Sequence, residues 1–331
     1  GALVQWVSRY LLTFHLGKNS PLKNALFGAV SLAALSNFIL IKGIKGTAFA
    51  TSAYGFLGDR TINSFLNDES LLVNSLNVLI WYVVSYALIR FLQINIFKLI
   101  IAIGTFALAL AFAGNDLVNF IGVPIAAFQS YEAWVTSCIS ASDYSMSILD
   151  AKVPTPTLFL LGSGVIMILT LWFSSKAKKV VKTSLDLSNQ YETKERFHPN
   201  AFSRFLVRLF SGIGSLINKA LPLKWKEKIE TRFTLLPTKN QEDWTDDAPS
   251  FDLLRASINL VVAAVLISAA TSLKLPLSTT YVTFMVAMGT SLSDKAWGRD
   301  SAVYRVAGVL NVIGGWFFTA ISAFTLSGVI L

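Results

Sequence analysis

Hydrophobic positions along the 331-residue chain are bunched into blocks. Apolar runs extend from Ala25 to Ile41, Leu71 to Leu92, Ile96 to Phe128, Thr157 to Phe173, Leu253 to Leu273 and Val303 to Leu331. A hydrocarbon core of ~30 Å needs ~20 helical residues to cross it, so these blocks predict transmembrane helices. The fold class is an all-α polytopic membrane protein. The run from Ile96 to Phe128 exceeds a single span and is interrupted by Gly114-Asn115-Asp116, Gly122 and Pro124. A shorter stretch leads from Leu275-Pro276-Leu277-Ser278-Thr279-Thr280-Tyr281 to Met288-Gly289. Too short to cross, it predicts a re-entrant arm or broken helix, which a membrane tolerates only where backbone is buried in protein or lines water.

Polar segments divide the chain into four regions. Residues 1–95 hold a mixed N-terminal stretch with Trp6, Arg9, His15, Lys18 and a Pro21 break, then two spans. Residues 96–175 hold the interrupted run, an acidic connection over 129–155 with Glu132, Asp143 and Asp150, and a fourth span. That span ends at Lys176, Lys178, Lys179 and Lys182, the densest basic cluster beside any span. Lysines so placed set orientation, which puts this end in the cytoplasm and 129–155 outside. Residues 176–250 form a polar insertion with an amphipathic stretch near Phe202–Ile217. It reads as a solvated cytoplasmic loop with one helix on the membrane surface, or else as a site for a soluble partner. Residues 251–331 carry the Ser-Thr-Thr segment and the final apolar run.

Composition agrees. Hydrophobic residues are 53% of the chain and charged residues 14%, where soluble domains carry about a quarter. The net charge of +9 gathers in the cytoplasm-like loop, so topology explains it without nucleic acid. A single cysteine, Cys138, excludes an intrachain disulfide. The chain opens on Gly1 and closes within an apolar run at Leu331, as an internal fragment of a longer multi-pass protein of the inner or plasma membrane is expected to do.

Candidate chemistry lies at the two interruptions. Asp116 is the carboxylate set most deeply in apolar sequence. A charged Asp at bilayer depth costs roughly 2.5–3.5 kcal/mol, so it marks a cavity, an ion or a partner. Asn115 and Asn119 flank it at helical spacing, which brings two amides and a carboxylate onto one face. At Ser278-Thr279-Thr280, Pro276 stops one helix and the hydroxyls cap the next. Such a helix start suits an oxyanion, and unwound carbonyls beside a carboxylate suit Na⁺ or a proton. Taken singly, each has an ordinary reading, as a helix start or a turn. Asp116 resists that reading because an uncompensated buried charge is expelled or neutralised.

At these residues the chain resembles the inorganic phosphate transporter (PiT) family. Ala113-Gly114-Asn115-Asp116-Leu117-Val118-Asn119 is similar to its Gly-Ala-Asn-Asp-Val-Ala-Asn-Ala motif, and Pro276-Leu277-Ser278-Thr279-Thr280-Tyr281 to its Pro-Val-Ser-Thr-Thr-His. Trp316-Phe317-Phe318-Thr319 resembles its closing Trp-x-x-Thr. The resemblance covers mainly 97–331 and fits the C-terminal half of an inverted-repeat secondary transporter. Departures are Gly114 directly before Asn115, Tyr281 in place of His, and Lys274 where Gly is usual. Tyr281 cannot titrate near neutrality as imidazole does.

The resemblance implies a cation site for Na⁺, or H⁺, at Asp116, Asn119 and Asn115, with Ser278 closing the shell. It implies phosphate oxygens on Ser278, Thr279, Thr280 and Asn115. Lys274 is a further attractor for the anion, or a lysine snorkelling to the interface. Expected partners are inorganic phosphate, the bilayer, the other half of the same protein and, as an open option, further copies of it; no cofactor beyond the coupling cation is expected. Sulfate, also a tetrahedral oxyanion, is the rival substrate, and a non-transporting receptor or scaffold is the rival class. An enzyme is disfavoured because His15 and His198 lie in polar segments and form no acid–base set at membrane depth.

Overall fold

The computed structural model describes all residues except 14–15, 17–18, 40–47, 56–59, 118–120, 146, 148–155, 180–199, 221, 234–251, 274, 276, 294–298 and 331. The described residues are overwhelmingly helical. In chain order the helices are α1 (Ala2–Leu12), α2 (Pro21–Ile39), α3 (Ala48–Thr51), α4 (Ile62–Asp68), α5 (Ser70–Phe91), α6 (Ile96–Leu117), α7 (Val123–Ser137), α8 (Thr157–Phe173), α9 (Ala201–Ala220), α10 (Leu223–Arg232), α11 (Leu253–Ser272), α12 (Thr279–Ser293) and α13 (Arg299–Ile330). A two-residue hairpin pairs Ala53 with Thr61 and Tyr54 with Arg60.

Local chemistry sets the helix starts. Pro21 opens α2, where a missing N–H costs nothing, and the Ser20 carbonyl accepts from Lys23 N–H at 3.0 Å. Thr61 caps α4 by accepting from Ser64 N–H at 3.1 Å. Asp252 caps α11 by accepting from Leu254 N–H at 3.0 Å. The sequence reading placed Pro21 as a break; it is the first residue of the helix.

The chain forms two compact units, one of residues 1–107 with 184–331 and one of Leu108–Thr183. In the first, α2 packs against α5 and α11. Its buried stripe Ala25, Ala29, Leu32 and Leu35 repeats at the three- and four-residue spacing of one helical face. Small residues allow close approach. A Cβ on Gly28 would stand 2.7 Å from Ile96 Cγ1 and 2.9 Å from Ser85 Oγ, and one on Gly104 would stand 2.9 Å from Leu260 Cβ. A polar seam runs along the α2–α5 face. Ser36 Oγ and Asn77 Oδ1 are 3.1 Å apart, Trp81 donates to Ser36 Oγ at 3.1 Å, and Asn37 donates to Asn74 Oδ1 at 2.5 Å.

The mixed N-terminal stretch contains α1, which packs on α11 and α12. It buries Gln5, Ser8, Arg9 and Leu12 while Leu3 and Leu11 are exposed. The insertion also folds back: α9 packs on α13 and α10 on α1. Phe233, just after α10, is buried and stacks on Trp6 at 5.9 Å between ring centroids.

In the second unit, Phe128 of α7 meets Phe159 of α8 edge-to-face at 6.0 Å. Helix α7 runs on to Ser137 and ends at Cys138, which has left-handed backbone (φ 56°). The first third of the expected 129–155 connection is therefore helix.

Candidate functional site

The Ser-Thr-Thr segment forms the N-terminus of α12. Ser278 precedes the helix, and its hydroxyl accepts from Tyr281 N–H at 3.3 Å. Its carbonyl accepts from Val282 N–H at 3.1 Å. Thr279 and Thr280 are the first two helical residues. Their environments differ sharply: Thr280 is exposed, whereas Thr279 is only 2% exposed. Among the described residues, nothing hydrogen-bonds to the Thr279 hydroxyl. A buried polar group is normally satisfied, so this one stands out. Lys274 lies outside the described residues.

Tyr281, a turn further on, packs its ring on Trp316 of α13 at 4.7 Å between centroids. Phe284 meets the same indole edge-on at 6.2 Å. Two positions singled out in the sequence thus touch and tie the start of α12 to α13. Within α13 the Thr319 hydroxyl donates to the Gly315 carbonyl at 2.8 Å, a bond local to the helix.

The other segment sits in the second unit. Helix α6 stays helical through Gly114, Asn115 and Asp116 to Leu117, and residues 118–120 lie outside the described residues. The expected interruption is absent over 113–117, its positions 118 and 119 lie outside the described residues, and the backbone is helical again from Ile121 into α7. Asn115 and Asp116 have helical backbone in the last described turn of α6. Their side chains, and Asn119 entirely, lie outside the described residues.

A second polar cluster lies away from both segments that the sequence pattern singles out. Arg9 and Asp252 form a buried ion pair between α1 and the start of α11, and Arg255 is fully buried one turn on. One α11 turn further, Thr290 of α12 donates to Asn259 Oδ1 at 2.5 Å. The available signal was an Asp directly before an apolar run, a helix-start pattern.

Among the described residues, five stretches are long and apolar enough to cross a bilayer: Pro21–Ile39, Ser70–Phe91, Ile96–Ala113, Leu253–Ala270 and Val306–Ile330. Helix α8 is apolar but shorter, at 17 residues. The molecule is thus an all-α, membrane-embedded protein. No protein-family model, curated protein or solved structure matches the chain. The Asn-Asp and Ser-Thr-Thr segments alone therefore carry any narrower assignment.

Proposed function

We propose that this chain is part of a secondary carrier, similar to the inorganic phosphate transporters, that moves phosphate across a membrane with a coupling cation, Na⁺ ahead of H⁺. The observation that carries the reading is the buried Thr279 hydroxyl at the N-terminus of α12, which has no hydrogen-bond partner among the described residues. The first N–H groups of a helix and its positive dipole end attract oxyanions. A buried hydroxyl beside them adds a donor that costs little to desolvate, because it already lacks water. Ser278 and Thr280 supply exposed hydroxyls on either side.

For the cation, the reading rests on Asp116 and the amides beside it. A carboxylate within an apolar helix calls for a compensating cation, and Asp116 lies on the helical backbone of α6. Na⁺ there would take carbonyl, amide and carboxylate oxygens, with Asn115 and Asn119 as the amides. On this proposal the lysines after α8 and the 176–250 insertion face the cytoplasm. An inverted-repeat partner half would complete the carrier.

Uptake of labelled phosphate by vesicles holding the intact protein tests the reading. Uptake is expected to need a Na⁺ gradient, to survive excess sulfate and to vanish in Asp116→Asn without loss of membrane insertion. Complete competition by sulfate would make the substrate sulfate, and wild-type uptake by Asp116→Asn would remove the cation assignment.

A further inference from the structure

A groove with a cavity volume of about 470 Å³ opens in the first unit, where α1, α2, α10 and α11 meet. Its walls are apolar: Leu11 of α1, Leu26 and Val30 of α2, and Ile258 and Val262 of α11. Leu11, Leu26 and Val30 are each more than half exposed, so the apolar lining is open to its surroundings. Three cations also line it, Lys23 at the start of α2 and Lys228 and Arg232 of α10. Neither Glu227 nor Glu230 of α10 belongs to the lining. The Arg232 guanidinium stands 5.9 Å over the Tyr10 ring, which holds it at the groove.

We infer that this groove binds one anionic phospholipid, its phosphodiester on Lys23, Lys228 and Arg232 and an acyl chain along the apolar wall. Depth supports this occupant. The lining residues of α2 and α11 fall within the first eleven residues of each helix, or roughly 16 Å at 1.5 Å per residue. Both helices have span-length apolar stretches. The cation at the third residue of α2 and the apolar positions beyond it reproduce the order of headgroup and acyl region at a bilayer boundary. Basic pockets of this type beside membrane helices suit lipid phosphates.

Charge complementarity is one-signed. A zwitterionic lipid would bring a cation of its own against three already present, so the groove selects for net negative headgroups. On the orientation proposed above it opens to the cytoplasmic leaflet, where anionic lipids concentrate. The occupant also explains a helix the sequence read as loop: α10 sits against α1 through Phe233 and Trp6, and the lipid headgroup would bridge α10 to α2.

Native mass spectrometry of the full chain in detergent tests the inference, with equimolar phosphatidylglycerol and phosphatidylcholine supplied. The wild type is expected to retain phosphatidylglycerol about 25-fold over phosphatidylcholine. Each neutralised cation should lower that preference about fivefold, so Lys228→Gln with Arg232→Gln brings it near parity. Val30→Trp, which fills the groove, should reduce retention of both lipids. Inorganic phosphate should displace neither, which separates a lipid site from a site for the free anion.

Equal retention of the two lipids by the wild type overturns the inference. So does an undiminished preference in the double variant, displacement by inorganic phosphate, or a lipid-free dimer with the groove closed by a second copy. Should the double variant unfold, Lys23→Gln on an exposed side chain gives the same reading with a single fivefold change. The readout is lipid retention, so it stands or falls apart from phosphate transport.

Discussion

Arg9 of α1 is ion-paired with Asp252, the residue immediately before α11, and both side chains are sealed from solvent. The same carboxylate accepts from Leu254 N–H at 3.0 Å, so one residue both starts a membrane helix and anchors α1 to it. Removing one partner leaves the other charge buried, which costs about 3–5 kcal/mol. Asp252→Asn, which keeps an amide oxygen for the cap, should therefore lower the thermal midpoint in detergent markedly. Adding Arg9→Met to that variant should recover part of the loss. An unmoved midpoint in Asp252→Asn would mean the pair contributes nothing.

The α2–α5 seam makes a smaller claim. Asn77 donates to the Ala33 carbonyl at 3.1 Å and to Ser36 Oγ at 3.0 Å. Interhelical bonds of this kind in membranes are worth about 0.6 to 2 kcal/mol. Asn77→Leu should destabilise by about 1 kcal/mol, measured by unfolding in mixed micelles, with a matching loss in Ser36→Ala and less than the sum in the double variant. Simple additivity would show that the two side chains act independently.

Gly28→Val should cost more than either seam variant, Asn77→Leu or Ser36→Ala. The added Cβ would meet Ile96 and Ser85 at under 3 Å, and such overpacking typically costs 1–3 kcal/mol. Because Gly28 faces α5 and the start of α6 together, the loss should appear as reduced protease resistance in both helices. Cleavage confined to one of them would limit the close approach to a single interface.

Thr279→Val separates ligand binding from helix capping. The hydroxyl it removes has no partner among the described residues, so stability should change by less than about 1 kcal/mol. Phosphate uptake should fall more than tenfold. Ser278→Ala has the reverse emphasis, since it deletes the bond from Tyr281 N–H and with it about 1 kcal/mol of cap stability. Wild-type uptake by Thr279→Val would leave the buried hydroxyl as packing only.

Sequence periodicity and length located the span-length helices to within a few residues. The expected helix from Leu71 to Leu92 is α5 at Ser70–Phe91, and that from Leu253 to Leu273 is α11 at Leu253–Ser272. These run lengths are set by the bilayer, and a composition window reads them directly. Helix α1 was not legible because its burial is inverted: Arg9 and Gln5 face protein and Leu3 faces outward, the reverse of a soluble amphipathic pattern. Asp252 was overlooked for a related reason, as its partner lies 243 positions away in sequence. At the candidate site, Pro276 and the hydroxyls announced a helix start, and α12 begins at Thr279. Which of three neighbouring hydroxyls is buried depends on the packing around α12, and no local pattern encodes that. Helical character persisting through Asn115 and Asp116 was missed because Gly-Asn-Asp favours turns in water, whereas a membrane environment penalises any unpaired backbone group.

The apolar stretch of α13, Val306–Ile330, has 25 residues against 22 for Ser70–Phe91, or about 37 Å against about 33 Å at 1.5 Å per residue. A flat bilayer of one thickness cannot match both. Hydrophobic mismatch of this size is relieved by tilt or by local deformation of the lipid. Through the Tyr281–Trp316 ring contact, any lean of α13 is felt at the first turn of α12. Vesicles of short-chain and long-chain lipids should therefore set the turn around Thr279 differently, as read by a fluorescent probe placed there.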